Sequence, residues 1–169
     1  MSYELIETIE LTSSASSIEF TSIPQDGADL LCVVSGRSDR ASGGVGLLLN
    51  INNNTSGVYD YIRLQGNGSS VFSDSIVNNT FVYINALPND DETANTFSSN
   101  ALYFSNYTSS TIKSVSYDSV IENNATASFQ ELGAIGIDDT NGITSIKLTP
   151  SSSTNFVQYS TASLYKVTA

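Results

Sequence analysis

The chain has 169 residues, 40% of them hydrophobic, so it can bury one sizeable core and is not disordered as a whole. Its net charge of −11, with six Lys and Arg in all, excludes the clustered cations that nucleic acid or an anionic membrane surface requires. There is no histidine. That removes the commonest general base and transition-metal ligand, and with it Ser-His-Asp triads, Cys-His pairs and the usual catalytic zinc site.

Only 14% of residues are charged, against about 25% in ordinary soluble domains. The polar surface must come from Ser, Thr, Asn and Gln, which are mediocre helix formers and favoured in turns. Cys32 is the one cysteine, set in the apolar run Leu30 to Val34, and reads as a small buried hydrophobe. The opening MSYELIETIEL has neither a basic region nor an apolar one, so no signal peptide is expected. No stretch has the length of a transmembrane helix. Synthesis in a cytosol is the expectation, and the six N-x-S/T triplets at Asn53, Asn54, Asn67, Asn78, Asn106 and Asn124 then carry no meaning.

In chain order, Tyr3 to Leu11 predicts a first strand and Ser17 to Ser22 a short second one, ended by Ile-Pro-Gln-Asp-Gly. Ala28 to Ser38 carries apolar residues on both faces and predicts a central strand. A flexible loop, Arg37 to Gly44, follows it. Val45 to Asn53 alternates, with Val45, Leu47, Leu49 and Ile51 inward. Asn52 to Gly57 predicts a hairpin turn, because Asn and Gly tolerate positive φ, and Val58 to Gln65 runs back from it. One helical turn is allowed at Asp74 to Asn79.

Phe81 to Ala86 predicts a strand, Ala101 to Tyr107 and Thr111 to Tyr117 a pair, and Ser128 to Ile137 a longer strand bent at Gly133. Ile143 to Leu148, ended by Pro150, and Thr161 to Val167 form a closing hairpin around a Ser-rich bend anchored by Phe156. Strands at short spacing with Gly, Asn and Ser turns predict an all-β fold: a single jelly-roll-like antiparallel β-sandwich domain over 1–169.

Candidate chemistry is thin. Ser-Lys catalysis lacks a second supporting motif. The acids Asp90, Asp91 and Glu92, and then Asp138 and Asp139, lie in predicted turns. A glycosidase needs its carboxyls on rigid strands lining a cleft. Asp138 to Gly142 resembles part of a calcium loop but lacks the distal Glu, and it equally reads as a tight turn. No catalytic, cofactor or metal residue is assigned. Nine tyrosines and no tryptophan suggest aromatic platforms. Tyr59 and Tyr61 share a strand face, and so do Tyr103 and Tyr107; such rings suit a glycan or a protein interface, or plain strand composition.

Several segments together resemble jelly-roll virion proteins of tailed phages. They are Ile18 to Gln25, Leu30 to Arg37, Tyr61 to Ser70, Leu102 to Thr111 with Lys113, Gly142 to Leu148, and Leu164-Tyr165. The resemblance covers most of the chain through short motifs. It implies a non-enzymatic component of the virion exterior: a capsid decoration protein, a head fibre or a tail-fibre knob. The partners implied are the major capsid protein or other virion proteins and further copies of the chain, a trimer among the forms allowed. The alternative is the receptor-recognition tip of a tail fibre, binding host-surface glycan. No cofactor is implied, and no site residue is carried over.

Overall fold

The computed structural model describes residues 2–122 and 128–168; the Asn124 triplet lies outside them. Among the described residues, twelve strands form two antiparallel sheets. They are β1 (Ser2–Glu10), β2 (Ile18–Phe20), β3 (Asp29–Ser35), β4 (Val45–Ile51), β5 (Tyr59–Gly66), β6 (Val71–Asn79), β7 (Val82–Leu87), β8 (Ser99–Ser105), β9 (Lys113–Glu122), β10 (Ser128–Ile137), β11 (Ile146–Pro150) and β12 (Thr161–Thr168). The larger sheet runs β1-β12-β3-β8-β9-β10-β5-β6 and the smaller β2-β11-β4-β7.

Setting aside β5, β6, β9 and β10 leaves β1-β12-β3-β8 facing β2-β11-β4-β7. The first strand then lies beside the last, and the chain passes between sheets at almost every connection. This is the jelly-roll winding. The four remaining strands form two hairpins that lengthen the first sheet to eight strands.

The alternation read from the sequence builds the core. Val45, Leu47, Leu49 and Ile51 of β4 are buried, opposite Leu30, Cys32 and Val34 of β3 and Leu102 and Phe104 of β8. Each such aliphatic contributes about 2 kcal/mol by leaving water. Phe156 is fully buried and bridges Ala15 and Ser38, which pins the bend as expected. β3 lies between β12 and β8, and β12 between β1 and β3, so both are interior strands.

Three expectations are corrected. Residues 74–79 are strand, part of β6, and form no helical turn. The Asn52 to Gly57 turn does not fold a hairpin, because β4 and β5 belong to different sheets. Asn52 and Asn53 do take φ of 53° and 52°, and the buried Tyr59 hydroxyl accepts from Ile51 N at 2.8 Å, which sends the chain across the core. Likewise β11 and β12 do not pair; 151–160 carries the chain from one sheet to the other.

Cys32 is fully buried, and burial pushes its thiol up to about 12. A thiol reagent should leave the native protein unmodified and label it only in denaturant. Native-state labelling at the rate of a free thiol would show that β3 is not interior.

Candidate functional site

The added hairpins give the larger sheet an extension that reaches past β7, the edge of the smaller sheet. A free edge exposes unpaired backbone groups. Here side chains from the extension satisfy them. Arg63 of β5 donates from Nη1 to Tyr83 O at 3.3 Å. The Asn85 N–H donates to Glu131 Oε1 of β10 at 3.3 Å, and Ser119 of β9 donates to Asn85 O at 3.3 Å. The edge of β7 is thus closed from within the chain.

Glu131 is the centre of this seal. It is fully buried, and its Oε1 also accepts from the Tyr117 hydroxyl at 2.8 Å. Its Oε2 has no hydrogen-bond partner and lies 3.8 Å from Arg63 Nη1. Burial raises its carboxyl above the ordinary range, opposed by the Tyr117 hydroxyl, the Arg63 charge and the Asn85 N–H. Tyr117 lies across Gly133, its cross-strand neighbour, where a Cβ would overlap the ring. Arg63 itself is gripped by Asp74 of β6, with Nε and Nη2 2.7 and 2.8 Å from the two carboxylate oxygens, and stacks over Tyr83 at 5.7 Å. The Arg63 hydrogen bonds hold Asp74 below the usual carboxylate range.

The opposite, outer face of the extension is open. Register places Leu132 beside Leu64 and Ala134 beside Ile62, with Ser73 and Ser75 of β6 next along. These residues line a shallow groove of about 810 Å³. It adjoins a second hollow of about 460 Å³ bounded by Asp60, Val77, Ser114 and Gly136. Ile62 and Leu64 are 60% and 54% exposed, so this is apolar surface in water. The outward residues of β5, β6, β9 and β10 include Asp60 and Asp118 but no Lys or Arg.

The tyrosines expected to form platforms do not. Tyr59, Tyr61 and Tyr107 are in the core, which corrects that expectation. Tyr107 donates to Pro24 O and accepts from Gly27 N at 3.2 Å, so it ties two loops together. Tyr103 alone is half-buried on the outer face. Its hydroxyl donates to Asp29, and that bond pushes the phenol up to about 12. β5 turned its tyrosine face inward because Tyr61 and Tyr59 complete the cross-sheet core, leaving Ile62 and Leu64 outside.

The carboxylates of Glu92 and Asp139 serve their own loops. Glu92 accepts from Asn89 N at 3.1 Å, and the Asp91 N–H donates to Asn89 Oδ1 at 2.8 Å. Asp139 accepts from Asn141 N at 2.8 Å and from Asn54 Nδ2 at 3.0 Å, bonds that lower its carboxyl. The Asp138 N–H donates to Val58 O at 2.8 Å. Among the described residues no three His, Cys, Asp or Glu side chains are grouped to hold a metal ion.

Comparison with protein-family models, curated proteins and solved structures finds no match.

The sequence does hold one signal for Glu131. Phe129, Glu131, Gly133, Ile135 and Ile137 share a face of β10, so a Glu stands in an otherwise inward-facing series. Arg63 and β6 had no comparable signal.

Proposed function

We propose that the protein is a non-enzymatic structural component of a virion exterior, of the decoration or fibre kind. The observation that carries this reading is the outer face of the sheet extension. It is open and solvent-facing, with Ile62, Leu64 and Leu132 exposed, and the Arg63 and Asp74 that also border it are engaged with each other. Such a face suits binding by area, in which complementarity supplies the affinity.

The virion assignment draws its support from the phage resemblance. Its segments coincide with β2, β3, β5, β8, β11 and β12, strands of the jelly-roll winding and its extension. Of the acids at 88–92 and 138–142, Glu92 and Asp139 hold their own turns through hydrogen bonds, which favours a structural over a hydrolytic role for these two. The glycan-tip alternative loses three of its four tyrosines to the core.

Purified protein should cosediment saturably with phage particles that lack it, and should be found in intact particles of its source. Absence from those particles together with no cosedimentation would end this reading.

A further inference from the structure

The two sheets have four edges, and three are guarded. β1 carries the exposed glutamates Glu4, Glu7 and Glu10. β2 is three residues long. β7 is closed by Arg63, Glu131 and Ser119. Charged edges, short edges and covered edges are the usual ways of blocking strand addition. The fourth edge, β6, is neither short nor covered, and its one irregularity, an extra residue against β5 between Ile76 and Asn79, lies at its end. It runs nine residues, Val71–Asn79, with Val71, Phe72 and Val77 at 78%, 51% and 66% exposure. Its sole charge, Asp74, is neutralised by the bidentate contact with Arg63 of its own chain.

The residues on this edge read Val71-Phe72-Ser73-Asp74-Ser75-Ile76-Val77, close to a palindrome. An antiparallel strand pair related by a two-fold axis matches residues symmetrically about its centre. Centred on Asp74, the match sets Val71 against Val77, Phe72 against Ile76 and Ser73 against Ser75 of a second copy. Apolar meets apolar on both faces and hydroxyl meets hydroxyl on the outer one, the pairing that stabilises sheets. Only the central Asp74 meets its like, and each already has an Arg63. For a chain of net charge −11, repulsion between copies is the main obstacle to self-association. β6 is a long edge whose own charge is already neutralised, so that repulsion is least there.

We propose that β6 is a homodimer interface: two copies join edge to edge, antiparallel, into one continuous sixteen-stranded sheet. The grooves beside Ile62, Leu64 and Leu132 then lie on either side of the two-fold axis and form one longer apolar face. This inference concerns the purified chain alone and does not rest on the virion reading.

Light scattering should give twice the 18.0 kDa chain mass for the wild type. The double variant Val71→Glu with Val77→Glu sets acid against acid across the axis and should be monomeric. Val71→Glu with Val77→Lys sets acid against base at both matches and should restore the dimer. Leu5→Glu, on the β1 edge, should leave the dimer intact. A monomeric wild type at submillimolar concentration overturns the proposal. So does a dimer that survives the double-Glu change, a Glu/Lys pair that fails to restore it, or a dimer lost in Leu5→Glu. If the double-Glu chain does not fold, amide exchange decides: β6 amides of the wild type must gain protection as concentration rises, and unchanged protection overturns the proposal.

Discussion

Replacing Arg37 with methionine should lower the unfolding free energy by about 4 kcal/mol and the melting temperature by about 10 °C. Arg37 follows β3 and reads, from its neighbours, as the start of a surface loop. It is in fact buried at 6% exposure. Its guanidinium makes five hydrogen bonds, to the backbone oxygens of Asn89, Glu92, Thr93 and Thr96 and to the Thr96 hydroxyl. The Asp90 carboxylate is 3.9 Å away and largely exposed, so carbonyl dipoles carry most of the compensation. Arg is the side chain for this work because its planar fork holds several donors in fixed directions.

Methionine keeps much of the volume and removes every donor. Carbonyls drawn inward would then lack partners, and each buried orphan costs about 1–3 kcal/mol until the segment peels away to find water. Two measurements check this. Urea unfolding should show the lowered midpoint. Limited proteolysis should show cleavage in 88–96 that the wild type resists. A variant within about 1 kcal/mol of wild type, uncut in that segment, would mean the loop is held by something other than Arg37.

Arg37 also shows where sequence reading stops. Alternation is local, so β4, β10 and the interior character of β3 and β12 were legible from their own residues. Strand partnership is not local. The Asn52 to Gly57 stretch has the chemistry of a tight turn whether the next strand lies beside β4 or behind it, and only the fit of Tyr59 against Ile51 decides. β6 was illegible because an edge strand open to water over most of both faces needs no alternation. Its Ser, Asp and Asn residues are permitted by exposure on every side.

The tyrosines failed for a related reason. Periodicity put Tyr59 and Tyr61 on one face of β5 but could not say which face met the smaller sheet. That was settled by Ile62 and Leu64, whose neighbours Ala134 and Leu132 leave the outer face shallow, while Tyr83 and Glu131 fill the space inside. An apolar outer face and a polar buried cluster invert the usual rule, and binary pattern alone cannot foresee an inversion.

Glu131 marks that inversion, and its removal carries the second large effect. Glu131→Ala should destabilise the fold by about 3 kcal/mol. The change orphans the Tyr117 hydroxyl and the Asn85 N–H, reopens the β7 edge, and leaves Arg63 with Asp74 as its only acidic partner. Glu131→Gln keeps an oxygen for Tyr117 and Asn85 and removes the charge, so it should be far milder and should separate charge from hydrogen bonding.

Its pH dependence has a definite sign. Burial raises the native carboxyl above its ordinary value of 4.5, so the native state holds this proton more tightly than the unfolded chain does. Stability from this group is therefore fully present below 4.5 and is lost as pH rises through the raised value. Carboxyls such as Asp74 and Asp139, shifted the other way, gain stability with rising pH in the acid range, so the wild-type curve alone mixes both signs. The difference between wild type and Glu131→Gln isolates the one group. Denaturant titrations across the acid-to-neutral range should show the Gln variant gaining on wild type as pH increases. A flat difference would mean that Arg63 and Tyr117 fully offset the cost of burial, and a difference of opposite slope would mean that the ionised form is the one the seal was built around.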